Sequence, residues 1–234
     1  MRVSSEFSKY ASEYGNYNII QKKVIDKLLA SVKTKPKQIL DLGCGNGELC
    51  KKINWKYKRF TGVDFAKGML ELHPKSKKIE CIYGDFNDKT LFENLNTYEF
   101  DYIFSASALQ WADDLEDVFR SINELNTPIA LAIFTSNTFK TLNDTAGIDS
   151  ILKSANEIEK AQKKFFDAEF EVVNYKLEFE TVRDMFRYIK KSGISASRKV
   201  LDFKQTKKLM NEYPLNYLEF EVVFIVTNME NCHE

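Results

Sequence analysis

The stretch "LDLGCGNGEL", Leu40 to Leu49, sets a carboxylate, Asp41, inside an apolar run and follows it with Gly43, Gly45 and Gly47 at every second position. An apolar run that breaks into glycines reads as a buried strand entering a loop that a ligand can approach closely. A dinucleotide site would space its glycines G-x-G-x-x-G and rest a pyrophosphate on the next helix. Here the spacing is G-x-G-x-G, and an acid precedes the first glycine by two residues. Negative charge there repels a pyrophosphate and suits a ligand bearing an ammonium group.

Outward from this loop the chain alternates. "QILDL" (38–42), "RFTGV" (59–63), "IECIY" (79–83), "DYIFSA" (101–106) and "PIALAIFT" (128–135) are short buried-strand candidates. Segments with helical spacing lie between them, such as "DDLEDVFRSINEL" (113–125) with acids in its first turn. Upstream, residues 17–32 put Ile20, Val24, Leu28 and Val32 on one helical face. Five strands alternating with helices predict a parallel sheet covered on both faces. The rhythm then changes: a long strand over 169–180, a helix over 181–193 and a final strand over 218–228. Residues 181–213 thus separate two strands that a short turn could join, and read as an insertion.

Bulk properties narrow the class. The 234 residues, 44% apolar and 29% charged, suit one globular domain with a substantial core. Lys+Arg and Asp+Glu balance at 34 each, so overall charge gives no support for nucleic-acid binding. Apolar runs are too short to span a bilayer, and the N-terminus lacks a signal core, so the cytoplasm is the expected location. Cys44, Cys50, Cys81 and Cys232 are scattered without a CxxC pair, and only His73 and His233 are histidines. Neither a disulfide framework nor a metal site is expected.

Two further acids fall at successive strand ends. Asp64 closes the second strand, where a carboxylate accepts both hydroxyls of a ribose. Asp85 in "YGDF" follows the third, where it accepts from an adenine amino group while Phe65 or Phe86 packs on the ring. A nucleoside carrying an ammonium and a positive centre describes S-adenosylmethionine. The structural alternative is a tight glycine turn with Asp64 and Asp85 as helix caps.

"LDLGCGNGEL", "GVDFAKGML", "YGDF" and "DYIFSASALQWADDL" together resemble the successive motifs of class I S-adenosylmethionine-dependent methyltransferases. The resemblance implies an α/β, Rossmann-like, seven-stranded, mostly parallel sheet with an antiparallel last strand and helices on both faces. It implies cofactor contacts at Asp41, Gly43, Cys44, Gly45, Gly47, Asp64, Phe65, Met69, Asp85, Phe86 and Ser105, within a binding core of 36–135.

The acceptor is read from three features. Scarce histidine favours a group that is already ionised, such as a carboxylate, over a phenol that needs a base. Trp111 in "SALQWADDL" is either a core residue beneath the next helix or, with Gln110, a wall of the acceptor pocket. Residues 183–208 carry nine basic side chains, Arg183, Arg187, Lys190, Lys191, Arg198, Lys199, Lys204, Lys207 and Lys208, against Asp184 and Asp202, a net of 9 − 2 = +7. With a chain total of zero, the remainder carries −7. This is either a solvated helical face or a field that steers an acidic partner.

The N-terminal "FSKYASEYGNYNIIQKKV", "SASALQW", "YIKKSGISASR" and the closing "LEFEVVFIV" resemble malonyl-acyl-carrier-protein O-methyltransferases of biotin synthesis. That likeness extends over nearly the whole chain. It implies a helical lid over 1–35, with Tyr14 above cofactor and acceptor and with Tyr17 and Gln21 closing it. It also implies Arg198 on the malonyl carboxylate or the carrier's phosphate, with Lys190 or Lys191 as substitutes, and an acidic acyl carrier protein docked on the basic insertion 183–208. The family's proline-glycine-glycine turn before the fifth strand is replaced here by "LNTPIAL". A carboxyl methyltransferase for a small acid such as trans-aconitate, a methyltransferase for another small nucleophile, and a non-catalytic cofactor binder stand as alternatives.

Overall fold

The apolar runs become β1 (Gln38–Leu42), β2 (Arg59–Asp64), β3 (Ile79–Tyr83), β4 (Tyr102–Ala106), β5 (Ile129–Phe134), β6 (Ala168–Glu178) and β7 (Tyr217–Thr227). They belong to a computed structural model that describes residues 18–191 and 203–227. All seven form one sheet in the order β3-β2-β1-β4-β5-β7-β6. Neighbours among β1 to β5 run parallel, and β7 runs antiparallel to both β5 and β6. The expected seven-stranded sheet with an antiparallel last strand is therefore present.

Alternation along the strands divides the core in two. Ile39, Tyr102, Phe104, Ala130, Ala132 and Phe220 point to one face, together with Ile20, Val24 and Leu28 of α1 (Ile19–Ser31). Leu40, Leu42, Ile103, Ile129, Leu131 and Ile225 point to the other. There they meet α4 (Lys89–Leu95), α5 (Leu115–Glu124) and α7 (Ala155–Gln162). Both faces are buried, which is why the central strands read as nearly continuous apolar runs. Short helices α2 (Glu48–Lys52) and α3 (Lys67–Leu72) follow β1 and β2, and α6 (Lys140–Ala146) follows β5.

The late hairpin is long. β6 and β7 pair from Ala168↔Thr227 to Glu178↔Tyr217, and Phe179 N donates to Asn216 O at 2.8 Å where the pairing ends. Two helices, α8 (Val182–Lys191) and α9 (Phe203–Glu212), lie between these strands. Met185 and Tyr188 of α8 and Tyr213 after α9 join the core on α1's face, with the Tyr188 ring 5.4 Å from Phe179. Before β5, Asn126 takes φ 48°, the left-handed geometry a glycine would otherwise supply.

Candidate active site

The strand order reverses direction between β1 and β4, and ligands of open α/β sheets bind beyond the carboxyl ends of strands at such a point. A cleft opens there. Asp41, Gly43 and Gly45 line it from β1 and its loop, Ala106 from β4, and Asn18 and Gln21 from the start of α1. Parity explains the company. Asp41 lies two residues after Ile39, so it faces α1 rather than the opposite layer.

All three loop glycines have positive φ: 74°, 53° and 80° at 43, 45 and 47. Gly43 is also needed for space, because a Cβ would come within 2.2 Å of Ala108 Cβ. Gly45 differs. A Cβ there would meet nothing within 4 Å, so the glycine leaves open space on the cleft side. The loop's N–H groups are largely consumed within the protein. Gly43 N and Cys44 N donate to Val63 O at 2.8 and 3.0 Å, Gly47 N to Cys44 O at 2.9 Å, and Gly45 N to Asp64 Oδ2 at 2.9 Å. A phosphate cradle needs such donors free. This loop instead surrounds its cleft with acceptors.

Asp41 is 2% exposed, and its Oδ2 has no hydrogen-bond partner. Burial, and secondly the nearby charge of Asp64, push its pKa up to about 8. Asp64 is also buried, and burial raises its pKa too. Its bonds from Gly45 N and from Ala66 N (2.8 Å to Oδ1) act in the opposite direction. Nearby, both amide atoms of Asn18 and Oε1 of Gln21 are buried without partners. Leaving such groups unmade costs on the order of 1–3 kcal/mol each. Their clustering around one cleft marks a surface complementary to a polar, positively charged ligand.

The remaining sequence candidates are placed unequally. Met69 is buried on α3 and Phe65 is half-buried before it. Asp85 is exposed, and its Oδ1 accepts from Asn87 N and Nδ2, both at 2.9 Å, in a local turn, while the following helix α4 is capped by Asp88. Phe86 is buried in the core of the second face. Ser105 is fully buried, and its hydroxyl donates to Leu42 O at 2.7 Å. By strand parity Ser105 points away from α1 while Ala106 points into the cleft. Trp111 ends a 3-10 turn, Leu109–Trp111, and packs half-buried against the second face. Gln110 donates from Nε2 to Ser107 O at 2.7 Å, and its Oε1 is left without a partner. Tyr14, Tyr17 and Arg198 lie outside the described residues, as do the side chains of Lys190 and Lys191.

Three residues escaped the sequence reading. Asn18 left only the faint signal of a cap residue before a helix. Ser107 takes φ 62° with its hydroxyl buried and unpartnered, which nothing in "SASALQW" announces. His73 is 2% exposed, its ring is tilted against that of Phe60 with centroids 5.7 Å apart, and it lies under the glycine loop, where a Cβ on Gly47 would come 2.9 Å from its Nε2. Burial lowers its pKa. Among the described residues no cluster of His, Cys, Asp and Glu could hold a metal, and no helix is long and apolar enough to cross a membrane.

Residues 39–128 match the family model "Methyltransferase domain". A malonyl-[acyl-carrier protein] O-methyltransferase of Legionella pneumophila is 26% identical, covering 82% of this chain and 73% of the relative. The chain is a methyltransferase of the class I fold. By kinship and fold this methyltransferase is S-adenosylmethionine-dependent. Malonyl-[acyl-carrier protein] O-methyltransferase 2 of Ilyobacter polytropus is 25% identical and matches over 97% of this chain and 95% of its own. In fold, the chain is similar to phosphoethanolamine N-methyltransferase 2 of Haemonchus contortus, solved in complex with S-adenosyl-L-methionine. The TM-score is 0.56 at 17% identity, over 95% of this chain and 57% of that one.

Proposed function

We propose that this methyltransferase esterifies the free carboxylate of a malonyl group carried on an acyl carrier protein, an early step of biotin synthesis, with S-adenosylmethionine seated in the β1–β4 cleft. The observation that carries the cofactor's placement is the buried Asp41, whose Oδ2 is unpartnered, beside Asp64, in a loop whose glycine N–H groups are already spent. Bound there, the cofactor would supply an electrophilic methyl group on a cationic sulfur. Asp41 would meet its ammonium, and Asp64, anchored by Gly45 and Ala66, would turn its remaining lone pairs to the ribose hydroxyls. The open side of Gly45 would admit the nucleoside close to the backbone. Kinship along nearly the whole chain supports the acceptor.

A malonyl carboxylate is ionised at neutral pH and needs no base, so the chain's task is alignment, worth about 7–11 kcal/mol when well achieved. The cofactor would supply its methyl carbon to the carboxylate oxygen, leaving the electron pair of the carbon–sulfur bond on sulfur. Esterification removes a charge that an apolar tunnel would not accept. In this reading Tyr14 stands over both reactants, Gln110 and Trp111 border the acceptor, and Arg198, Lys190 or Lys191 meets the carboxylate. Arg183, Arg187, Lys204, Lys207 and Lys208 are exposed on α8 and α9, where an acidic carrier could dock.

The deciding measurement is transfer of labelled methyl to malonyl-carrier protein, set against free dicarboxylic and tricarboxylic acids. Base-labile label on the carrier is expected. Label in free acids alone would replace this acceptor with a small acid. Changing Lys190 and Lys191 to Glu is expected to slow association with the carrier and flatten its salt dependence; an unchanged rate would remove the basic helices from the docking model.

A further inference from the structure

The two edges of the sheet are unequal. β3 at one end has five residues, and β6 at the other has eleven. Natural sheets guard an open edge with a short strand, a proline, a bulge or charge. β6 is long, lacks proline and glycine, and pairs with β7 without a break from Ala168↔Thr227 to Glu178↔Tyr217. None of its residues is buried, whereas β7 beside it buries Leu218, Phe220, Val222 and Val223. Phe170, Val173, Tyr175 and Leu177 are left half-exposed, and Val172 is 42% exposed. Its charges, Glu169, Glu171, Lys176 and Glu178, guard it against a second copy only if self-pairing sets like charges opposite.

The direction of the backbone groups follows from one bond. Phe179 N donates to Asn216 O in the register of the ladder. Opposite residues of an antiparallel pair alternate between exchanging both bonds and exchanging none. Odd-numbered residues of β6 therefore bond to β7. Phe170, Val172, Asn174 and Lys176 turn N–H and C=O outward, where no strand among the described residues meets them. We propose that this edge pairs antiparallel with β6 of a second copy, joining two seven-stranded sheets into one. A two-fold axis at Val173 brings all eleven residues into register. Outward-facing residues then oppose one another, Val172 with Asn174 and Phe170 with Lys176, forming about twelve bonds between the chains. On α1's face Val173 meets Val173, Glu171 meets Tyr175 and Glu169 meets Leu177, so no like charges stand opposite. The register with the longest pairing is thus also free of charge conflict.

The β1–β4 cleft is separated from this edge by β5 and β7, so association and ligand binding can be read independently. Light scattering on the full chain should give twice the chain's mass, falling toward the single mass on dilution. A chain monomeric at every concentration overturns the proposal, whatever else then borders β6. Two substitutions spare the β7 ladder. Val172→Lys sets a lysine diagonal to its own copy and to Lys176 across the axis, and Asn174→Pro removes only an outward N–H. Each should weaken the dimer about tenfold or more, while affinity for S-adenosylhomocysteine, the demethylated cofactor, stays within about twofold. A dimer that withstands both changes uses another face and overturns the assignment to β6. The axis has a test of its own. Cα atoms of an opposite pair that exchanges no bonds stand about 4.5 Å apart, within disulfide reach. Oxidised glutathione should therefore link Val173→Cys into a covalent dimer and leave Asn174→Cys unlinked. No linkage at 173, or equal linkage at both positions, would overturn the register.

Discussion

The helices α4, α5 and α7 on one face of the sheet and the helices α1 and α2 beside the cleft on the other begin in opposite ways; α8, whose Asp184 N donates to Thr181 Oγ1 at 3.1 Å, follows the first pattern. On the face lined by Leu40, Leu42 and Leu131, each helix begins on a side chain that caps it. Asp88 accepts from Thr90 N, Asp114 from Glu116 N and Asp117 N, and Ser154 forms a reciprocal box with Glu157. On α1's face, Asn18 caps nothing, and α2 begins at Gly47, which has no side chain to cap with. The first face caps its three helices with its own side chains, and its buried unpartnered atoms, such as Gln162 Oε1 on α7, are scattered and not gathered at a cleft. The second leaves buried acceptors around one cleft, so its polar balance is completed only by something cationic. Where a structure is locally self-sufficient it is scaffold; where it is not, the missing partner describes the ligand.

Asp41 offers the hardest test of that contrast. Asp41→Asn keeps the shape and removes the charge, so affinity for S-adenosylhomocysteine should fall about 100-fold or more, the scale of losing one member of a buried ion pair. The same change should help the unliganded protein. A carboxyl whose folded pKa is raised from 3.8 to about 8 favours folding most below the lower value, and that advantage drains away as pH rises toward the upper one. Melting temperatures of parent and variant should therefore coincide below about pH 4 and separate progressively from there toward pH 8, with the variant higher. A variant that melts lower at pH 8 would show that Asp41 has a stabilising partner.

The pH dependence of binding sharpens the same point with a smaller effect. With Asp41 protonated in the empty cleft at pH 7 and ionised against the ligand's ammonium, binding releases a proton. Affinity should climb by at most about tenfold per pH unit below pH 8 and level off above it. Calorimetry in buffers of different ionisation enthalpy should register the release, and Asp41→Asn should abolish it. Uptake of a proton would contradict the sign.

Much of this architecture was legible because it is local. The runs at 38–42 and 79–83 are the strands β1 and β3 to the residue, since apolar stretches bounded by polar turns have few alternatives once a parallel sheet is inferred. The helix α6 was invisible because it buries nothing and so carries no periodic signal. The helix α7 was missed although "SANE" (154–157) spells the capping box the structure contains. In the candidate site Asp41 could be placed at the sheet edge from type and position, whereas Asp85 bonds within its own turn. Ser105 fared differently: Tyr102 and Phe104 share α1's face, so alternation alone assigns Ala106 to the cleft and Ser105 to the other side. Asn18 and Ser107 depend on how distant segments close over the sheet edge, and no local pattern encodes that.

The capped face supplies the control with the smallest expected effect. Ser154 Oγ accepts from Glu157 N at 3.3 Å, and Ser154 N donates to Glu157 Oε2 at 2.8 Å, so two end groups of α7 depend on this pair. Ser154→Ala removes the first bond and should cost about 1 kcal/mol, read as a lower denaturation midpoint with an unchanged slope. Because Ile158 and Ala161 of α7 pack on the face away from the cleft, affinity for S-adenosylhomocysteine should remain within about twofold. Asn18→Leu should do the reverse, weakening the ligand while leaving the midpoint equal or higher. If Ser154→Ala also weakened the ligand by tenfold, the two faces would be coupled through the sheet, and the division between a self-sufficient layer and a ligand-completed one would no longer hold.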